Sequence, residues 1–159
     1  MKRKGIIATC FIALAAIIYL VVDYSNPKHI EFTLPSTIYS VESDYEKTTT
    51  IAIRGDQHKN KNLLGKDTFI GTMIVDNDLI YDIKLKKEDH KYFEILTKLE
   101  NGTLNTIGSV MISTDYHRIW LQLDEINVKY NLVDGYISGP AENMEEAEAV
   151  ARSIVEGDE

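Results

Sequence analysis

The sequence predicts a mainly β domain, an antiparallel sheet in a sandwich or small barrel-like form with one C-terminal α-helix, preceded by an N-terminal transmembrane helix. Three observations lead there. From about Tyr45 to Ser138, apolar residues alternate with polar ones at every second position, the pattern of half-buried strands. Turn-type residues interrupt the alternation at short intervals, so consecutive strands have connections of hairpin length. The chain opens instead on Lys2-Arg3-Lys4 and an uncharged apolar run, the signature of a membrane segment.

That run, residues 6–22, reads IIATCFIALAAIIYLVV and ends at Asp23. At about 1.5 Å per helical residue it covers about 25 Å, slightly less than a typical hydrocarbon core. Tyr19 and Tyr24 suit the interface. The basic cluster belongs on the cytoplasmic side, which places everything from Asp23 onward outside. A cleaved signal peptide has the same opening, but Leu20-Val21-Val22-Asp23-Tyr24-Ser25-Asn26-Pro27 lacks the small residues of a cleavage site. The expectation is a retained, single-pass anchor in a bacterial-type cytoplasmic membrane. Cys10, the one cysteine, lies within the run, which removes intramolecular disulfides and thiolate metal clusters from consideration.

The formal charge is −8, and the anchor region contributes only the three positive charges of Lys2, Arg3 and Lys4, so residues from Asp23 onward sum to −11. Such a surface repels phosphate backbones and anionic headgroups, which argues against nucleic-acid binding. Three segments follow from this reading: a basic stub and signal-anchor at 1–22, a juxtamembrane linker at 23–45, and an extracytoplasmic β-rich domain at 46–159.

Within the linker, Ser25-Asn26-Pro27-Lys28 and Pro35 with its Ser and Thr neighbours read as irregular chain. Residues 48–54 set Ile51 and Ile53 on one face and stop at Gly55-Asp56. Residues 68–75 place Phe69, Met73 and Val75 opposite Ile70 and Ile74, turn at Asp76-Asn77-Asp78, and continue with Leu79, Tyr81, Ile83 and Leu85 in a hairpin. Residues 91–99 suit a strand through Phe93, Ile95 and Leu99, or a helix face through Tyr92, Leu96 and Leu99. The turn Glu100-Asn101-Gly102 favours the strand, leading into residues 103–113. Residues 118–124 turn Ile119, Leu121 and Leu123 one way. After a short strand at Tyr136-Ile137-Ser138, Gly139-Pro140 breaks the chain. Asn143 then caps a helix with Glu146 three residues on, and Met144, Ala147, Val150, Ala151 and Ile154 form its apolar stripe.

The basic start, the apolar run, Ser-Asn-Pro-Lys, the alternating strands and the closing Ile137-Ser138-Gly139-Pro140-Ala141 before Glu145-Glu146-Ala147 together resemble small membrane-anchored proteins of Gram-positive bacteria. The resemblance implies a topology and carries no assigned function.

No catalytic constellation can be assembled. His29, His58, His90 and His117 stand in polar or turn-like stretches without metal-ligand spacing. Asp76-Asn77-Asp78 starts like a calcium loop but lacks glycine at its sixth position and glutamate at its twelfth, which is Lys87. Arg54-Gly55-Asp56 spells an adhesion tripeptide, which Gly55 explains more simply by ending a strand. Asn101-Gly102-Thr103 matches a glycosylation sequon that a turn accounts for, and Gly108-Ser109 is no nucleophile elbow. Nothing calls for a cofactor or a metal. One position stands out: Trp120 shares a strand face with Arg118 and Gln122, so a large aromatic stands on the polar side. These three form a candidate partner surface, unless the C-terminal helix or a neighbouring strand covers the indole.

The expected function is that of a membrane-tethered extracytoplasmic interaction module, held by residues 6–22 and binding an envelope protein or ligand. The alternative is a membrane-anchored hydrolase acting on envelope polymers through acidic residues, which a deep cleft with two converging carboxylates would mark.

Overall fold

The computed structural model describes Leu14, residues 26–60 and residues 65–157. The apolar run at 6–22, with Cys10, lies outside the described residues except at Leu14. Among the described residues no helix is long and apolar enough to cross a membrane.

Eight strands follow one another: β1 Lys28–Ser40, β2 Tyr45–His58, β3 Thr68–Val75, β4 Leu79–Glu88, β5 Lys91–Glu100, β6 Thr103–Ser113, β7 Ile119–Leu123 and β8 Tyr136–Gly139. Each pairs antiparallel with the next, and β8 pairs with β1, so the sheet closes into a barrel. Helix α1, Asp124–Tyr130, joins β7 to β8, and α2, Met144–Glu156, ends the described chain. The mainly β antiparallel class and the C-terminal helix are as the sequence predicts.

The ladders around the barrel are unequal. β1 and β2 share thirteen register pairs and β5 and β6 ten, whereas β4 meets β5 only at Lys86↔Phe93, Lys87↔Tyr92 and Glu88↔Lys91. β1 meets β8 only at Thr37↔Ser138, Ile38↔Ile137 and Tyr39↔Tyr136. The barrel is therefore two four-stranded halves, β1–β4 and β5–β8, joined along two narrow seams.

Alternation decides what lies inside. Ile38, Ile51, Ile53, Phe69, Met73, Val75, Leu85, Ile112, Ile119 and Leu121 are buried against one another, as the small interior of an eight-stranded barrel requires. One end is plugged from the 114–118 loop, where Tyr116 adopts φ 63°. Its ring stacks on Tyr92 at 5.4 Å and packs near Phe69 and Phe32 at 5.9 and 6.1 Å. The opposite end is covered by α1, which buries Ile126 completely.

Four local expectations need correction. Residues 28–40, read as linker, form β1, because alternate residues Ile30, Phe32, Leu34 and Ile38 line the core while Pro35 tolerates its place without a ladder donor. β2 runs through Gly55 to His58. A Cβ on Gly55 would stand 2.3 Å from the Ile70 carbonyl oxygen, so this glycine serves close approach to its register partner Gly71. In β5 the strand reading holds, but Tyr92 and Leu96 face inward and Phe93 and Ile95 outward. The strand at 118–124 stops at Leu123, and Asp124 begins α1, whose first turn carries Asp124 and Glu125 and whose αL end is Asn131.

Helix α2 lies on the outer wall. The Asn143 side chain accepts from the Glu146 N–H at 2.9 Å, the expected cap, while the Glu146 carboxylate accepts from the N–H of Glu142, one residue before the cap, at 2.9 Å. At the other end Lys91 Nζ donates to the carbonyls of Ile154 and Val155 at 3.2 and 3.1 Å, satisfying oxygens that the helix leaves open. Ala147 and Ile154 are buried, and Ala147 packs with Tyr39 and Ala141 on the wall. Ala151 is only half-buried. Ala147→Asp should therefore cost on the order of 3 kcal/mol by burying an unpaired charge, and Ala151→Asp distinctly less. Urea denaturation of the two variants checks this, and equal stabilities would show that α2 is not seated on the barrel.

Candidate functional site

Trp120 points outward from β7, opposite Met111 of β6 and Ser138 of β8. It is half-buried. Its indole stacks on Tyr136 with ring centroids 5.8 Å apart and planes at 26°, and Tyr136 packs against Tyr39 at 5.8 Å. Three strands contribute one ring each, because β1, β8 and β7 are neighbours and each turns one of these residues outward. Helix α2 covers Tyr39 through Ala147 and leaves Trp120 and Tyr136 half-exposed at its border. An open groove of about 430 Å³ results, lined by Tyr39, Trp120, Tyr136, Val41, Ala151 and the Glu148–Arg152 pair of the helix. The Tyr39 pKa is raised by burial, against hydrogen bonds from Ser138 and Trp120 that lower it. The phenol stays neutral and keeps its donor.

Comparison with known families, characterised proteins and solved structures finds no match for this chain.

The other two candidate residues are not brought to the groove. Arg118 lies beside a smaller pocket of about 170 Å³ at the barrel end, formed with His90, Ser113, Asp115, Ser153 and Ile154. Gln122 stands further along β7, opposite Ser109 and Tyr136. Sequence reasoning placed Trp120 on the outer face but missed Tyr39 and Tyr136. Tyr136 immediately precedes the apolar, inward-facing Ile137, an alternation that signals its outward direction, while Tyr39 lay in the stretch read as linker.

The histidines serve local structure where their contacts are drawn: His29 Nδ1 lies 3.0 Å from Asp56 Oδ1, and His90 Nε2 lies 3.1 Å from the Ile154 carbonyl oxygen. Among the described residues no three His, Cys, Asp or Glu side chains gather to hold a metal ion.

A second polar cluster sits beneath α1. The Asp76 carboxylate is buried at the β3–β4 turn and meets Lys129 Nζ at 2.8 Å, Thr49 Oγ1 at 2.8 Å and Lys47 Nζ at 3.1 Å, and it accepts from the Tyr130 hydroxyl. Lys129 also bridges to Asp78 at 2.7 Å, and the Lys47 ammonium stands 4.4 Å from the Tyr130 ring centre. Burial alone would raise the Asp76 pKa. The hydrogen bonds from Lys129, Tyr130, Thr49 and Lys47 outweigh it and hold the carboxyl well below the ordinary carboxylate range. With these four donors engaged, the carboxylate fastens α1 to the barrel end.

Because the folded-state pKa of Asp76 is depressed, its contribution to stability is full above about pH 4, the unfolded value, and is lost as pH falls toward the folded value. Asp76→Asn should lose roughly 1–3 kcal/mol at neutral pH and show a shallower decline of stability below about pH 4. Denaturant melts over that pH range measure both, and an unchanged acid slope would remove Asp76 as its source.

Proposed function

We propose that this protein is a membrane-tethered extracytoplasmic interaction module whose aromatic groove around Trp120 binds an envelope protein or ligand. The groove carries the reading. Trp120 stacked on Tyr136, with Tyr39 tilted against Tyr136, borders a cleft that the adjoining helix leaves open, and aromatic anchors beside arginine are the residues that concentrate binding energy at interfaces. The Glu148–Arg152 pair at its rim offers polar specificity around that apolar floor.

The tether supports the same reading. Residues 6–22 form the anchor of a single-pass protein with its amino terminus inside and the barrel outside. Strand β1 begins at Lys28, only a few residues from the anchor, so the barrel is held close to the membrane surface. A binding module so placed meets partners confined to the same layer, which raises their effective concentration without new contacts.

Two measurements test the proposal. Protease added to intact spheroplasts should remove the barrel and leave a membrane-bound stub, whereas a mature soluble species beginning near Asp23 would defeat the tether. Trp120→Ala should abolish cross-linking of the full-length protein to its envelope partner from a photoreactive group at position 151. The same change should cost about 1–2 kcal/mol of stability, less than a fully buried indole would, because the ring is half-exposed. Retained cross-linking in a folded Trp120→Ala protein would move the binding site elsewhere.

A further inference from the structure

The β4–β5 seam is open along most of its length. Below the three register pairs at Lys86–Glu88, continuation of the ladder would set Lys84 against Ile95, Asp82 against Thr97 and Ile80 against Leu99. Those pairs are not formed. Residues of β4 and β5 whose side chains point outward have their N–H and C=O groups directed into the seam, by the alternation of an antiparallel ladder. Ile80, Asp82 and Lys84 on one edge and Ile95, Thr97 and Leu99 on the other therefore present backbone groups to a gap without a strand in it.

One of these groups has a substitute partner. The Lys84 N–H donates to a carboxylate oxygen of Glu94. Glu94 lies between the inward-facing Tyr92 and Leu96 of β5, yet its side chain reaches across to β4 and stands where a strand carbonyl would be. Burial raises its pKa, against the Lys84 N–H and the nearby lysine charges that lower it. Next to it is a cleft of about 420 Å³ between Lys84, Lys86, Glu88, Phe93 and Ile95.

The free edge of β5 also lacks the usual protection. β1 has an unpaired half as well, residues 28–34, but that edge exposes Lys28, His29 and Glu31 and is followed by Pro35, charge and proline being common ways of blunting an edge. On β4 the outward Asp82, Lys84 and Lys86 carry charge, but the outward residues of the β5 edge are apolar or neutral, with Ile95 53% and Leu99 70% exposed around Thr97, and Ile80 of β4 facing them is 66% exposed. Leu99 and its register partner Leu104, 65% exposed, lie in a hairpin whose residues 97–106 are all exposed.

We propose that the β4–β5 seam is a strand-docking site: an extended segment of a partner protein enters along the free edge of β5 and displaces the Glu94 carboxylate from the Lys84 N–H. The occupant is a polypeptide strand because the groups left open are backbone donors and acceptors at strand spacing on facing edges, which only another backbone matches in series. Its outward side chains are apolar beside Ile95 and Leu99, and an acidic residue fits beside Lys84 and Lys86. A second copy of this chain fits less well. Two β5 edges pairing antiparallel about Thr97 would set Glu94 of each strand opposite Glu100 of the other, and like charges directly opposed are unfavourable. This site is separate from the Trp120 groove, so either can fail alone.

The probe is a synthetic peptide copying residues 79–88 with Lys84→Glu and Lys86→Glu, LIYDIELEKE, which sets acidic side chains beside Lys84 and Lys86 and whose register against β5 the existing pairs already define. It is added to the full-length protein in detergent micelles while amide hydrogen exchange is followed. At saturating peptide the Ile95, Thr97 and Leu99 amides should exchange at least about tenfold more slowly, each tenfold corresponding to about 1.4 kcal/mol. Thr97→Pro removes a seam-facing donor without touching the β6 ladder and should weaken binding about tenfold or more with little change in melting temperature. Should that variant fail to fold, a peptide N-methylated at alternate amides gives the same loss on the unaltered protein. Glu94→Ala should tighten binding, and Trp120→Ala should leave it unchanged. No slowing at these three amides, or equal binding by the N-methylated peptide, overturns the proposal. Slowing that grows with protein concentration in the absence of peptide assigns the edge to a second copy and overturns it equally.

Discussion

The fold depends on closing a sheet with only three residues. Thr37, Ile38 and Tyr39 of β1 pair with Ser138, Ile137 and Tyr136 of β8, and without this contact eight strands would form an open sheet with β1 and β8 as free edges. Neighbouring chain reinforces it. The Ala141 N–H donates to the Pro35 carbonyl at 3.1 Å and Thr37 Oγ1 donates to the Ala141 carbonyl at 3.0 Å, extending the seam past the end of β8. A Cβ on Gly139 would fall 2.2 Å from Ser36 Oγ, so the close approach of the two strands requires glycine there. α2 then covers the outside of the same seam with Ala147 over Tyr39 and Ala141. The first strand, the last strand and the terminal helix are thus one closure, assembled from residues about a hundred positions apart.

Closure at that seam leaves little room inside, and the composition of the interior follows. Side chains of ordinary size fill an eight-stranded barrel, and two devices of different chemistry stop its ends. Tyr116 is turned into one mouth by a left-handed backbone, and its ring completes a cluster with Phe32, Phe69 and Tyr92. At the other mouth α1 is too short to be stable by its own hydrogen bonds. It is held by Ile126 below and by Lys129 and Tyr130, which reach Asp76. A buried carboxylate would be costly alone, but four donors around it reverse the balance.

What the sequence made legible was set by the range of the interactions concerned. The alternation of Phe69, Met73 and Val75 and of Leu79, Tyr81, Ile83 and Leu85 is local, and it located β3 and β4 with their inner faces. The capping of α2 by Asn143 and Glu146 is equally local. β1 was hidden because Pro35, Ser36 and Thr37 are turn-formers by propensity, and only pairing with β2 and β8 makes them strand. In β5 the inner face was misjudged because Phe93 and Ile95 are as apolar as Tyr92 and Leu96; the burial of Tyr92 under Tyr116 is a tertiary choice. α1 escaped notice because Leu121 and Leu123 carry the strand alternation directly to its first residue. The outward direction of Trp120 was readable from its strand, whereas its neighbours Tyr136 and Tyr39 come from strands whose order the sequence does not state.

A barrel filled inside and stopped at both ends leaves its outer wall for recognition, and that wall is not uniform. The formal charge of −11 from Asp23 onward makes most of it acidic, hydrated and unsuited to close contact with other acidic proteins. Two interruptions differ in kind. The groove at Trp120, Tyr136 and Tyr39 offers ring faces beside Glu148 and Arg152 of the helix, so as the proposed binding site it would select by side-chain shape. The seam at Ile80, Ile95 and Leu99 offers backbone groups in a row, so as the proposed docking site it would select by conformation first and by sequence second. Both arise where the two halves of the barrel meet, since β1, β7 and β8 converge under the groove and β4 and β5 part at the seam. The same economy that closes the sheet with three residues at each junction therefore leaves the junctions, and not the well-paired walls between them, as the places where another molecule has something to complete.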